Sequence, residues 1–264
     1  PFGAMVAADP ATAALVAMRA WLLQRLRQHP ELQAVDDDFR HLLGSWFNRG
    51  FLRLERIDWQ SPASVLEQLI RFEAVHPMSG WEDLRRRLGR DRRCFAFFHP
   101  ALPREPLIFV EVALTQEISD RVAPLIDPQA AEADPAAATT AVFYSINNVL
   151  SGLRGVSFGN FLLKQVVSEL SAEFPALQTF VTLSPIPRMR EGLRAAWADP
   201  AQRPALVRLL ADQAAELQRL GGGLDPFDSL DALLRQPRDA TADAVLDRVL
   251  SDLALHYLAR CKRG

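Results

Sequence analysis

The chain has 264 residues, 49% of them hydrophobic and 23% charged, which is typical of a globular protein long enough for two domains. A formal net charge of −2 gives no reason to expect nucleic acid or an acidic membrane surface as a partner. Two distant cysteines argue against a disulfide framework or a zinc site, and no apolar run approaches the ~20 residues of a membrane span. We therefore predict a cytoplasmic protein without a bound metal, and the Ala-, Leu- and Arg-rich composition suggests a bacterial source.

The first 50 residues show only helical patterns. Residues 11–29 carry four apolar side chains at helical spacing: Leu15, Met18, Leu22 and Leu26. Pro30 ends this pattern, and the aspartates of "DDDFRHLLGSWFNRG" favour the start of a second helix. We expect residues 1–50 to be the end of a longer all-α lobe.

Two further helices are predicted before residue 90. In "SPASVLEQLIRFEAV", Ser61 is a candidate cap and Pro62 suits the first helical position. Ser79 and Glu82 form a capping-box pattern ahead of a short helix.

Strand patterns begin after Arg93. Two short apolar runs, 94–100 and 107–115, are separated by "ALPREP" and predict a β-hairpin. Two more strands are predicted at 141–148 and 177–183, with a helix at 158–173 between them. One apolar stripe of this helix comprises Phe158, Leu162, Val166 and Leu170. Every pattern after Ser184 is helical, with helices predicted over 187–198, 203–219, 228–235 and 241–260. The sequence therefore predicts an α+β protein in which residues 51–264 form a second domain with a helical C-terminal part.

The loop before the helix at 158–173 contains Arg154, Gly155 and Gly159. A helix N-terminus with glycines and an arginine can bind a phosphate group, because free backbone N–H groups and the helix dipole favour an anion there. There is no Walker A lysine pattern and no G-x-G-x-x-G, so neither a P-loop ATPase nor a dinucleotide-binding dehydrogenase is supported. A plain turn explains the glycines equally well on these residues alone.

Ser184 lies in "FVTLSPIPRMREGL", where an apolar strand meets two prolines and an amphipathic stretch. A serine before a proline is a common helix N-cap. The same hydroxyl could serve in catalysis, and both roles stay open at this point.

The spacing R-x-x-S-x-G-x-x-L-L, from Arg154 to Leu163, resembles the pyrophosphate loop of GNAT acyltransferases, with Ser157 in place of the first glycine. A wider set of segments occurs in the same order as in malonyl-CoA decarboxylases: "EAVHPM", "RRCFAFFHP", "PLIFVEVALTQEIS", "AVFYSINN", "GLRGVSFGNFLLKQVVSEL" and "LSPIP". The chain as a whole resembles that family.

This resemblance implies a helical N-terminal domain and a GNAT-like mixed-sheet domain that binds acyl-CoA. The implied reaction converts malonyl-CoA to acetyl-CoA and CO2 without a metal or organic cofactor. Ser184 matches the family's catalytic serine, and its partner histidine is expected downstream of Gly264, since no histidine of this chain lies in the family's P-V-A-x-F-H motif. The CoA pyrophosphate would bind at seven residues: Arg154, Gly155, Val156, Ser157, Phe158, Gly159 and Asn160.

The apolar side chains of the first helices exceed what one small bundle buries, namely Leu15, Leu22, Leu42, Trp46 and Phe47. With the resemblance, this predicts a homo-oligomer, a dimer or a tetramer, formed through the helical domain. Two other functions stay open: an acyltransferase acting on an amine or hydroxyl, and a non-catalytic CoA-binding module.

Several polar residues invite a structural explanation. Glu73 and Glu111 lie in apolar surroundings and are predicted to pair with arginines. His76 and His99 each precede a proline and are predicted to be structural. Tyr144, Asn147 and Asn148 end the third predicted strand and are candidates to line the site.

Overall fold

A five-stranded mixed sheet lies at the centre of the first of two structural units, which comprise Pro1–Ser184 and Pro185–Gly264. The computed structural model describes residues 9–47, 50–156, 161–235 and 239–261. The helices of the first unit are α1 (Pro10–Leu23), α2 (Gln33–Trp46), α3 (Ala63–Phe72), α4 (Trp81–Arg87), α5 (Ala123–Ile126) and α6 (Phe161–Glu173). Its strands are β1 (Arg53–Ile57), β2 (Arg92–Phe98), β3 (Ile108–Thr115), β4 (Thr140–Asn148) and β5 (Thr179–Thr182).

The strands lie side by side in chain order. Strands β1 to β4 are successively antiparallel, whereas β5 runs parallel to β4, with α6 in the connection. The predicted hairpin is confirmed as the β2–β3 pair. Strand β1 was not predicted, because "RLERI" is rich in charged side chains and lacks the apolar run of the inner strands. The predicted α+β class is thus confirmed.

Alternating side chains of the strands point into two separate cores. Phe97 and Val110 pack on one face with Val166 of α6. Ala96 and Phe109 pack on the other face with residues of α3 and α4. The sheet is therefore a middle layer between helices, as a strand period of two residues requires when both faces are buried.

Helices α1 and α2 pack on the same core as the α6 face of the sheet, through Val16, Leu43 and Phe47. The predicted stripe on α1 is wrong except for Leu22, since the buried positions are Thr12, Val16, Arg19 and Leu22. Helix α1 is apolar on nearly all sides, so periodicity alone does not select its buried face. The functional division at residue 50 stays a prediction.

Two predicted helix caps are wrong. The hydroxyl of Ser61 accepts the N–H of Asp58 within a turn, and Pro62 is the cap residue of α3 without a side-chain bond. At α4 the cap residue is Gly80, and Asp83 rather than Glu82 reaches back to accept the N–H of Ser79. Both motifs correctly indicate a nearby helix start, but they assign the cap to the wrong residue.

The second unit is a helical bundle around Leu206, Leu217 and Leu253, each of them fully buried. Its helices are α7 (Met189–Ala198), α8 (Arg203–Leu210), α9 (Ala214–Gly221), α10 (Pro226–Leu233) and α11 (Ala240–Cys261). The helix predicted over 203–219 is divided by a 3-10 turn at Ala211–Gln213. No helix in the described part of the chain is long and apolar enough to cross a membrane.

Candidate functional site

The two parallel strands of the sheet, β4 and β5, are paired only over a short ladder. Their pairing runs from Thr140↔Thr179 to Phe143↔Thr182, and one further bond joins the Leu183 N–H to the Phe143 carbonyl at 2.8 Å. Strand β4 continues to Asn148, whereas β5 ends at Thr182. An opening between parallel strands leaves backbone groups available to a ligand, so this is the place where a bound group could be held by the main chain.

Ser184 follows the last of these bonds directly, at the C-terminal end of β5, and is exposed. It does not cap the next helix. Helix α7 begins only at Met189, and its cap residue is Arg188 in the left-handed region, with φ of 56° and no side-chain bond. The helix-cap interpretation of Ser184 is therefore wrong, which removes the structural alternative that the sequence left open.

Strand β4 carries a β-bulge beside this opening. Glu111 pairs with Ser145 and Val112 with Phe143, so Tyr144 is an extra residue on β4. The Tyr144 carbonyl lies 3.1 Å from Nε2 of His76, which must donate there because a carbonyl oxygen only accepts. Bulges redirect a strand locally, and His76 fixes this one from the side of the preceding loop. This contact supports the structural role that was predicted for His76.

Glu73 connects that loop to the end of β4. Its Oε1 accepts the N–H groups of Val75 at 2.9 Å and His76 at 2.7 Å. Its Oε2 accepts from Ser145 Oγ and from Asn147 Nδ2, both at 2.7 Å. The predicted arginine partner of Glu73 is thus wrong, because within the described chain this buried carboxylate is satisfied by four hydrogen-bond donors instead.

Glu111 does pair with an arginine, as predicted. Its Oε2 lies 2.8 Å from NH1 of Arg87, and NH2 of Arg87 donates to the His76 carbonyl at 2.7 Å. Complete burial raises the pKa of Glu111 to about 7, against the opposing attraction of Arg87. Burial also raises the pKa of the Tyr144 hydroxyl. Tyr144 and Asn147 are therefore buried supports of β4 rather than exposed lining residues, and only Asn148 is exposed.

The predicted phosphate loop follows β4 through a 3-10 turn at Ser151–Leu153. Arg154 and Gly155 are exposed, and Val156 is buried. Gly155 has φ of 76°, a conformation that favours glycine. The four other predicted residues, Ser157, Phe158, Gly159 and Asn160, lie outside the described residues. Helix α6 is described from Phe161, and Leu162, Val166 and Leu170 form its predicted buried stripe.

His76 and His99, the two histidines predicted to be structural, are each engaged with a partner other than Ser184. His76 is engaged with Tyr144, and His99 accepts the N–H of Ala101 at 3.1 Å with its ring 4.7 Å from that of Phe47. Burial lowers the pKa of His99. The described residues contain no group of three or more acidic, histidine or cysteine side chains that could hold a metal ion.

Sequence reasoning missed the polar support of β4. Ser145 gave no signal, because it occupies one position within an apolar strand. Glu73 and Asn147 were noticed separately, but they are 74 residues apart and nothing in the sequence pairs them. Arg19 and Asp36, a buried ion pair between α1 and α2, were also missed.

The match to known families covers the chain almost completely. The model of the malonyl-CoA decarboxylase C-terminal domain matches residues 50–264, and that of the N-terminal domain matches residues 2–47. The mitochondrial malonyl-CoA decarboxylase of Anser anser anser is 43% identical over 192 residues, which are 72% of this chain and 36% of that protein. This chain thus spans little more than a third of the curated relatives' length.

Solved structures agree with the family models. The crystal structure of malonyl-CoA decarboxylase from Rhodopseudomonas palustris has a TM-score of 0.78 at 48% identity, covering 92% of this chain and 56% of that one. The enzyme from Cupriavidus metallidurans has a TM-score of 0.75 at 41% identity, covering 98% and 61%. The chain therefore belongs to the malonyl-CoA decarboxylase family.

Proposed function

We propose that this chain forms the acyl-CoA-binding part of a carboxy-lyase that converts malonyl-CoA to acetyl-CoA and CO2 in malonate and fatty-acid metabolism. The observation that carries the proposal is the position of Ser184 at the opening between β4 and β5, in a chain of this family. An exposed hydroxyl at the place where the β4–β5 ladder ends suits a thioester substrate, and Ser184 does not cap α7.

In this proposal the thioester lies in the opening between the strands, and Ser184 orients the malonyl carboxylate. The bond between the carboxylate carbon and the α-carbon breaks, and its electron pair forms the thioester enolate while CO2 leaves. Each hydrogen-bond donor that holds the enolate oxygen lowers the activation barrier and raises the rate by about 10²–10³-fold. A proton from the histidine expected downstream of Gly264 then reaches the α-carbon, since an acid with a pKa near neutral suits this transfer. Every atom is accounted for without a cofactor.

The CoA pyrophosphate is proposed to bind at residues 154–160. Arg154 is exposed and supplies a cation, and the positive φ of Gly155 shapes the turn that leads towards α6. Glycine at this point also leaves room for a phosphate to approach the main chain. The proposal includes no metal.

Homo-oligomerisation through the helical N-terminal region, as a dimer or tetramer, is part of the proposal. Of the apolar residues on which this prediction depended, Leu42 and Trp46 are exposed, whereas Leu22 and Phe47 are buried. Met18 and Trp21 of α1 are also exposed. Such a surface favours association with another protein surface. A cytoplasmic location in a bacterium stays a prediction, and the curated relatives bear the description mitochondrial.

The test is incubation of the full-length protein with malonyl-CoA. We expect equimolar CO2 and acetyl-CoA by mass spectrometry. An acylated amine or hydroxyl acceptor would instead support the acyltransferase alternative, and binding without turnover would support a non-catalytic CoA-binding module.

A further inference from the structure

Arg19 of α1 joins three separate parts of the first unit. Its side chain is 1% exposed, and its Nε donates to Oδ1 of Asp36 on α2 at 2.9 Å. Its NH1 donates to the carbonyls of Gly152 at 2.7 Å and Arg154 at 2.8 Å. Gly152 lies in the turn that leads into the proposed pyrophosphate loop, and Arg154 is the first residue of that loop.

The contact between α1 and this segment is close because the segment has a glycine, Gly152, at the point of contact. A Cβ atom at Gly152 would lie 2.0 Å from the Val16 carbonyl oxygen, so any other residue would push the turn away from α1. A Cβ at Gly155 would lie 3.9 Å from Cδ of Arg40, so α2 also approaches the loop. The first two helices thus form the surface on which the segment 152–156 rests.

A buried arginine is costly unless its charge is paired and its N–H groups are bonded. Packing of α1 could be achieved by an apolar side chain, yet Arg19 places two bonds on loop carbonyls. These bonds turn the negative ends of two peptide groups towards the protein interior. A loop that rotated freely could direct the same oxygens at a phosphate and repel it.

We propose that Arg19, oriented by Asp36, is a positioning residue for the CoA diphosphate, and that the helical N-terminal region thereby controls affinity for the nucleotide part of the substrate. This inference rests on the proposed function, because it takes residues 154–156 as part of the phosphate site. The pair acts on binding and not on the bond that breaks, since neither side chain belongs to the opening beside Ser184.

The test uses the full-length protein and two substrates, malonyl-CoA and malonyl-pantetheine, the second of which lacks the diphosphate. The variants are Arg19→Met and the double variant Arg19→Leu/Asp36→Leu, which removes both charges together and leaves no buried carboxylate unpaired. For both we expect KM for malonyl-CoA to rise about tenfold with kcat nearly unchanged, the order of effect of losing hydrogen bonds that hold a binding loop. Activity towards malonyl-pantetheine should stay as in the parent protein.

The matched control is Arg86→Met, which also removes a buried guanidinium from a buried aspartate, at 2.7 Å from Asp91, away from the loop. If it raises KM for malonyl-CoA equally, the effect is general loosening of the fold and the positioning role is overturned. Unchanged KM in both Arg19 variants overturns it too.

The variant Arg154→Ala distinguishes failure of the positioning role of Arg19 from failure of the proposed pyrophosphate loop. If Arg154→Ala raises KM while the Arg19 variants do not, the phosphate site stands and only the role of Arg19 is lost. If Arg154→Ala also leaves KM unchanged, the pyrophosphate loop itself is misplaced, and the inference fails with it.

Discussion

Replacing Ser184 by alanine should remove most of the catalytic activity and leave the free energy of unfolding almost unchanged. A serine that capped a helix would contribute about 1 kcal/mol to the free energy of unfolding. Ser184 is exposed and α7 starts at Met189 behind Arg188, so no cap is lost on substitution. We therefore expect the free energy of unfolding to change by less than about 0.5 kcal/mol, the usual range for exposed positions.

The catalytic loss should be far larger. If Ser184 orients the carboxylate mainly in the transition state, kcat and kcat/KM should fall together by about 10²-fold, which is about 2.7 kcal/mol of transition-state stabilisation. Ser184→Thr retains a hydroxyl but adds a methyl group beside the thioester, so it should recover activity only in part. CO2 release from malonyl-CoA measures turnover, and urea denaturation measures stability in the same preparations.

Ser119→Ala is a suitable control, because Ser119 is a half-buried loop residue whose hydroxyl donates to the Arg121 carbonyl at 2.8 Å. It should change neither quantity. Unchanged turnover in Ser184→Ala would refute the catalytic role and leave Ser184 as an ordinary connecting residue. A parallel loss of stability and activity would show that the residue supports the fold in a way its exposure does not indicate.

Four other predictions concern buried carboxylates behind β4, the proposed phosphate loop and the proposed oligomer interface. Glu73→Gln should lower the free energy of unfolding by about 2 kcal/mol in urea denaturation, because the new amide meets the Asn147 donor and cannot accept from it. Gly155→Ala should raise KM for malonyl-CoA and leave kcat nearly unchanged in steady-state assays, since its φ of 76° strains any residue with a Cβ; unchanged KM would argue against this loop as the phosphate site. The pKa of Glu111 is raised from 4.5 to about 7, so the folded state holds the extra proton between these values and stability should fall as pH rises through them. Glu111→Gln should flatten that part of the stability profile, and an unaltered slope would contradict the assignment. Trp21→Glu should shift the mass measured by light scattering towards the monomer if α1 forms the oligomer interface.

The inner strands and the later helices were predictable because each carries its own local signal. Apolar runs gave β2, β3 and β4 within a few residues, and the apolar spacing of Leu162, Val166 and Leu170 gave the buried face of α6. The charged edge strand β1 gave no such signal, since only one of its faces needs apolar side chains. Local pattern thus predicts elements that carry an apolar run, including the edge strand β5, and misses an edge strand that is rich in charged side chains.

The site was only partly predictable for a related reason. Ser184 was selected by its motif, and its immediate context suggested a helix cap that the chain does not use. Arg19 is the one charged residue of α1, but its partners Asp36 and Gly152 lie 17 and 133 residues away in sequence. Contacts of that separation depend on how the helices dock, and a single sequence carries no pattern for them.

The polar residues behind β4 suggest that the opening beside Ser184 is built before substrate binds. His76 holds the bulge carbonyl of Tyr144, while Glu73 accepts the His76 N–H and Arg87 donates to the His76 carbonyl. Three bonds therefore fix one loop residue, and that residue fixes the bulge. Two buried carboxylates take part, Glu73 by accepting hydrogen bonds and Glu111 by orienting Arg87. Because a connected polar network has few alternative arrangements in a buried environment, the strand is held in one path. In the proposed function, a site arranged in this way need not use substrate binding energy to separate β4 from β5, and that energy stays available for orienting the malonyl group.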